Sequence, residues 1–151
     1  MNEPWGMLDE AELPARYGTD TVHAMARDPG TLFIYWELTE AGRGDAAARL
    51  PAAARALSVP RPGLRLCSTS TPAADAATEH ELLLLIDDEL GQAYVDWPHP
   101  GWARVELGVI AGGVFAAVCA APPAPVPPAM PAASGAARST TSPWRRREGQ
   151  L

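Results

Sequence analysis

The chain has 151 residues, a formal net charge of −6 and 47% hydrophobic residues, which is enough for one domain with a buried core. Residues 1–121 contain 8 Arg against 17 Asp and Glu, whereas residues 122–151 contain 4 Arg against one Glu. The acidic larger part argues against a groove that follows nucleic-acid phosphates. No hydrophobic run is long enough to span a bilayer, since the aliphatic candidate Leu82–Ile86 is only as long as a strand, and the N-terminus lacks the pattern of a secretory signal. We therefore expect a cytoplasmic protein with no membrane association, in which Cys67 and Cys119 are free thiols.

Composition divides the chain into three parts. Residues 1–12 are polar and acidic and are predicted to form a loose N-terminal arm. Residues 13–121 alternate between apolar runs and turn residues and are predicted to form the folded domain, with Tyr17 in a structural turn before the first strand. Residues 122–151 contain seven prolines and few large apolar side chains, so they cannot bury enough surface to offset the entropy of ordering. This tail is predicted to be disordered.

The domain begins with a predicted β-hairpin. Residues 22–27 form its first strand and residues 32–38 its second, which is the most aromatic run of the chain. Between them, Asp28, Pro29 and Gly30 have the chemistry of a type II turn, because proline presets φ and glycine tolerates the positive φ of the next position.

Successive side chains of a strand point to opposite faces, so the second strand has an apolar face and a mixed face. The apolar face is predicted to be core and to include Trp36 as a structural residue: Leu32, Ile34, Trp36 and Leu38. The mixed face carries Phe33, Tyr35 and Glu37, and aromatic side chains on an open face are unusual unless something covers or binds them.

Two explanations of the mixed face remain open. In the first, the helical segment that follows packs over Phe33 and Tyr35. In the second, the face binds a ligand: Tyr35, with Trp97 or Trp102, stacks on a sugar ring or on a partner's side chain, and Glu37 supplies hydrogen bonds.

The next segment has helical character. Thr39 is a suitable N-cap for an alanine-rich helix that extends to Leu50, and residues 51–57 are predicted to form a second short helical piece. Apolar positions recur near one face of these pieces, as expected for a small amphipathic cover.

The rest of the domain is predicted to consist of strands over residues 64–71, 81–86, 92–97, 102–110 and 114–120. The second of these strands is continuously apolar, which predicts burial on both faces. Gly112 and the structural Gly113 indicate the hairpin before the last strand. Seven short strands with one helical insertion predict an all-β, immunoglobulin-like sandwich. The alternative is an α+β arrangement in which the helix covers one face of a single sheet.

Five short segments occur in order along the chain: Leu13-Pro14-x-x-Tyr17-Gly18, Arg27-Asp28-Pro29, Tyr35-Trp36-Glu37-Leu38, Val105-Glu106-Leu107-Gly108 and Gly113-x-Phe115. Together they resemble the prokaryotic domain of unknown function 4912 family, over roughly residues 13–122. The chain departs from that pattern at Cys119-Ala120-Ala121, where serine and asparagine are expected, and in its shorter, alanine-rich middle. The resemblance implies a compact β-rich module. Longer relatives carry a helical nucleic-acid-binding segment in front of it, which implies a nucleic-acid-linked regulator as an alternative function.

The sequence contains no catalytic motif: no nucleophile elbow, zinc-protease helix, paired-cysteine motif, phosphate loop or dinucleotide fingerprint. Its histidines lie on separate elements without the spacing of metal ligands. We therefore expect no enzyme activity, no cofactor and no metal. The predicted function is a non-catalytic binding or accessory module for a protein partner or a glycan, with Tyr35, Glu37, Trp97 and Trp102 as its contacts.

Overall fold

Eight strands and two short helices follow one another between Gly18 and Pro128, the part of the chain that the computed structural model describes. In chain order they are β1 (Thr21–Asp28), β2 (Gly30–Glu37), α1 (Glu40–Arg49), α2 (Ala52–Leu57), β3 (Arg61–Thr69), β4 (His80–Leu85), β5 (Leu90–Trp97), β6 (Gly101–Ala111), β7 (Val114–Ala120) and β8 (Ala124–Val126). The predicted arm, Tyr17 and the tail beyond Pro128 lie outside these residues.

The strands form two antiparallel sheets that enclose one main core. The first sheet has the order β1-β2-β5, and the second has the order β4-β3-β6-β7, with β8 pairing β6 beyond the end of β7. The facing side chains pack together, and the largest fully buried ones among them are Leu32, Ile34, Leu64, Leu66, Val105 and Leu107. The all-β sandwich with a helical insertion is confirmed, with one strand more than predicted among the described residues. The single-sheet alternative is wrong.

The first hairpin has the predicted turn. Gly30 has a φ of 103°, and Asp28 pairs with Thr31 across the turn. Trp36 is 5% exposed and lies in the core, as predicted. The register shifts between Ala26 and Asp28, so β1 carries one extra residue there. Such a bulge bends the strand and redirects the neighbouring side chains.

The helices cover the second sheet rather than the first. The hydroxyl oxygen of Thr39 accepts a hydrogen bond from the Gly42 amide at 3.0 Å and caps α1, as predicted. Ala46 of α1 and Leu50, the C-cap residue that follows it, pack against a separate small cluster on β6 and β7, made of Val109, Ala111 and Ala116. Neither described helix therefore covers the outer face of β2, and the expectation that the helix covers Phe33 and Tyr35 is wrong.

Two further elements differ from the sequence-based expectation. β4 is not buried on both faces: it is the terminal strand of its sheet, and Leu82 and Leu85 are 38% and 47% exposed. β8 falls inside the segment that was predicted to be disordered. It pairs with the start of β6 and buries Ala124 and Val126, so the folded part continues past residue 121. Alternating small apolar residues between prolines supply enough contact for this short edge strand, where the missing proline amides are tolerated.

Candidate binding surface

The outer face of the β1-β2-β5 sheet collects aromatic side chains from three strands. Tyr35 on β2 lies opposite His23 on β1, and Phe33 lies opposite Met25 on one side and Tyr94 of β5 on the other. Arg27, at the bulge of β1, extends its side chain toward β5. We call these six residues the aromatic surface: His23, Met25, Arg27, Phe33, Tyr35 and Tyr94.

The rings of the aromatic surface form a continuous series of contacts. The His23 and Tyr35 rings are stacked, with centroids 4.8 Å apart and planes 21° from parallel. Phe33 is tilted against both Tyr35, at 5.9 Å, and Tyr94, at 5.0 Å. The Arg27 guanidinium lies over the Tyr94 ring, 5.5 Å from its centroid, and donates a hydrogen bond to the Tyr94 hydroxyl at 3.1 Å. Each ring therefore has at least one neighbour that fixes its orientation.

Much of this surface is exposed to solvent. Met25, Tyr35 and Tyr94 are 53%, 41% and 58% exposed. Their exposure follows from the position of the helices, which pack on the opposite sheet. A contiguous apolar patch on an open sheet face, surrounded by polar residues, is typical of an interaction site.

Of the four predicted contact residues, only Tyr35 lies on this surface as an exposed side chain. Glu37 is 3% exposed, and one of its carboxylate oxygens accepts a hydrogen bond from the Gly18 amide at 3.0 Å. The carboxylate is therefore used inside the fold, at the end of β2, and the prediction that it contacts a ligand is corrected.

The two tryptophans are also placed elsewhere. Trp97 is 2% exposed and points into the core, because it follows Val95 at a spacing of two on β5. Trp102 is half-buried on β6 and alternates with the buried Ala103, so it lies on the outer face of the second sheet, on the other side of the sandwich. The structure thus separates Tyr35 from both residues that were predicted to stack beside it.

Sequence reasoning missed Tyr94 and Arg27, which complete the aromatic surface. On β5, the apolar residues Val95 and Trp97 are two positions apart and so share one face, which is the core face. The two-residue period of a strand could therefore have placed Tyr94 on the outer face. What it could not supply is the pairing of β5 with β2, which brings Tyr94 beside Phe33.

Between Gly18 and Pro128, no three His, Cys, Asp or Glu side chains are grouped so that they could hold a metal ion. Cys67 and Cys119 are both free, as predicted. Burial raises the pKa of both thiols, in the case of Cys119 to about 11, which favours the unreactive protonated form.

The chain matches the family model described as Domain of unknown function (DUF4912) over residues 17–136. It belongs to this family. No curated protein matches the chain. The match covers all the strands of the sandwich, including those of the aromatic surface. Among residues 18–128 of this family member, neither helix has the length or the apolar character needed to cross a membrane.

Proposed function

We propose that this member of the DUF4912 family is a non-catalytic binding module whose aromatic surface contacts a partner protein. The observation that carries the proposal is the exposure of Tyr35, Tyr94 and Met25 on a sheet face that no other described element covers. Tyrosine, phenylalanine, methionine and arginine are the residues enriched in protein–protein interfaces, and all four occur on this surface. Tyrosine and arginine are also enriched among the residues that dominate binding energy.

The ring geometry favours a protein over a glycan. Stacking on a sugar requires an open ring face. The Tyr35 ring is stacked on His23, the Tyr94 ring has Arg27 over it, and Phe33 packs against both rings, so little open ring face remains. The surface therefore offers ring edges, a hydroxyl and a thioether more than flat faces. Such a surface suits the side chains of a protein, because edge-to-face contacts and flexible methionine adapt to an irregular partner.

The nucleic-acid alternative is weakened by charge. The part of the chain up to residue 121 has more than twice as many acidic as basic residues, and long-range repulsion between this body and phosphates reduces both affinity and association rate. We also propose that the module works in the cytoplasm, a reducing compartment in which free thiols such as Cys67 and Cys119 persist.

The proposal is tested with Tyr94→Ala and a matched control, Leu57→Ala. Leu57 is 76% exposed on α2, away from the aromatic surface, so both changes remove an exposed side chain. Wild type and both variants are immobilised, and proteins from an extract of the source cells are compared by mass spectrometry. We expect at least one protein that wild type and Leu57→Ala retain and Tyr94→Ala loses. With that protein purified, the dissociation constant should rise by about 30-fold in Tyr94→Ala, the size of effect expected for a central interface residue.

Two other binding assays on the same proteins can overturn the proposal. If a glycan array gives signals that Tyr94→Ala abolishes, the surface is a glycan site. If immobilised DNA retains the protein in a salt-dependent way, the module is linked to nucleic acid. A partner that binds the wild type and both variants equally uses another surface. Thermal melting within a few degrees of wild type shows that Tyr94→Ala acts on binding and not on folding.

A further inference from the structure

β4 combines two features that rarely occur together. It holds the longest aliphatic run of the chain, four consecutive leucines at positions 82–85, and it is a terminal strand of the second sheet. Edge strands present unpaired backbone groups and are usually protected by charges, proline or bulges. The register of β4 with β3 runs from Ser68–His80 to Gly63–Leu85 without a shift, and Glu81 is the one charged residue inside the strand.

The hydrogen-bond pattern shows which backbone groups of β4 point away from the sheet. The Ile86 amide donates to the Pro62 carbonyl at 3.1 Å, just beyond the end of the strand. Hydrogen-bonded positions alternate along an antiparallel ladder, so Leu84 and Leu82 direct their backbone groups toward β3. The amides and carbonyls of Glu81, Leu83 and Leu85 therefore point outward, in a row along the edge.

We propose that this row pairs with β4 of a second copy of the chain, antiparallel and about a two-fold axis at Leu83. An axis at Leu82, Leu83 or Leu84 brings outward-directed residues of the two copies opposite each other. The axis at Leu83, the central outward-directed residue, is the one that pairs all three of them. In this register Leu83 lies opposite Leu83 of the second copy, and Glu81 lies opposite Leu85 of the second copy. The two sheets would then form one continuous antiparallel sheet across the interface.

Side-chain complementarity favours a second copy over an unrelated strand. Leu82 and Leu84 share the core side of the sheet with Leu66 and Leu64 of β3, and the axis brings Leu82 beside Leu84 of the second copy. Glu81, the one acidic residue inside β4, does not lie opposite another acidic residue in this register. Glu81 already forms an ion pair with Arg65, whose Nε lies 2.5 Å from Oε2 of Glu81. The same guanidinium also forms an ion pair with Glu106.

The geometry also sets the strength of the association. A strand of six residues is about 20 Å long, so the pairing buries less than the ~1,200 Å² of a standard stable interface. The dimer is therefore weak and depends on concentration. Beyond the strand, Glu79 lies opposite Asp87 of the second copy at both ends, and this like-charge repulsion is reduced by salt. Added salt should therefore strengthen the dimer.

Sedimentation velocity of the full chain, from about 10 μM to about 1 mM, tests the proposal, since weak associations fall in that range. Wild type should shift from the monomer mass of 16.0 kDa toward twice that value, and more so at high salt. Leu83→Lys should stay monomeric, because it places two lysines opposite each other at the axis. Leu57→Lys, an equally apolar-to-charged change at an exposed site on α2, should behave as wild type. A wild type that stays monomeric at every concentration overturns the proposal, as does a dimer that Leu83→Lys leaves intact.

A cysteine at the axis gives an independent readout if Leu83→Lys folds poorly. Residues directly opposite each other in a hydrogen-bonded antiparallel pair have Cα atoms about 5.5 Å apart, within the range of a disulfide. Leu83→Cys should form a covalent dimer under mild oxidation, at least tenfold faster than Leu57→Cys. Equal rates for the two variants would show that the crosslink comes from random collision, and the two-fold pairing at Leu83 would be rejected.

Discussion

Trp36 and Tyr35 are neighbours on β2 with opposite environments, and replacing each by alanine separates core from surface on one strand. Trp36 is 5% exposed, packs in the main core and donates a hydrogen bond from Nε1 to the Asp88 carbonyl at 2.9 Å. Its ring also lies against Gly91, directly opposite on β5, where an added Cβ would come within 3.1 Å of it. Trp36→Ala leaves a cavity and an unpaired carbonyl. We expect a loss of roughly 3–5 kcal/mol in the free energy of unfolding.

Tyr35→Ala removes a ring that is already 41% exposed, so a loss of about 1 kcal/mol is expected. Urea titration followed by tryptophan fluorescence or circular dichroism measures both. With a urea dependence of about 1–3 kcal/mol per molar, the Trp36→Ala midpoint should fall by more than roughly 1 M, and the variant will be largely unfolded if the domain is at the low end of normal stability. The Tyr35→Ala midpoint should fall by a small fraction of that.

Trp36→Phe serves as a control, because it keeps most of the apolar ring but removes the bond to Asp88. It should cost an intermediate amount. Equal destabilisation by Trp36→Ala and Tyr35→Ala would refute the reasoning, since it would mean that Tyr35 is as buried as Trp36 and that the aromatic surface is part of the core.

Three further changes test the fold. A chain that ends at Ala121 loses the two buried side chains of β8 and should be about 2 kcal/mol less stable, whereas a chain that ends at Pro128 should melt like the full chain; equal melting temperatures for the two truncations would contradict the role of β8. Thr39→Ala removes the acceptor of the Gly42 amide and should cost about 1 kcal/mol in urea titration, and Thr39→Ser should cost much less. Burial raises the pKa of Cys119 above its ordinary value of 9.0 to about 11, so its contribution to stability is complete below pH 9 and is lost as the pH rises toward 11; Cys119→Ala should flatten that part of the pH–stability profile, and an unchanged slope would show that the thiol is not responsible.

Local features of the fold could be predicted from the sequence because they depend on residues close together in the chain. The turn at Pro29 and Gly30, the cap at Thr39 and the inward direction of Trp36 all follow from backbone preferences and from the two-residue period of a strand. These local features were sufficient for the fold class, since short strands with turns between them can bury their apolar faces only by packing sheet on sheet.

The aromatic surface and the position of β4 at the edge of its sheet were decided by tertiary structure. Arg27 and Tyr94 meet although they are 67 residues apart, and no local preference specifies that β5 pairs with β2. Likewise, the leucines of β4 have the composition of a central strand, but strand order leaves them at the edge. The apolar composition of a strand indicates how much apolar surface the strand can bury. Only the pairing of strands determines whether this chain or a partner buries it.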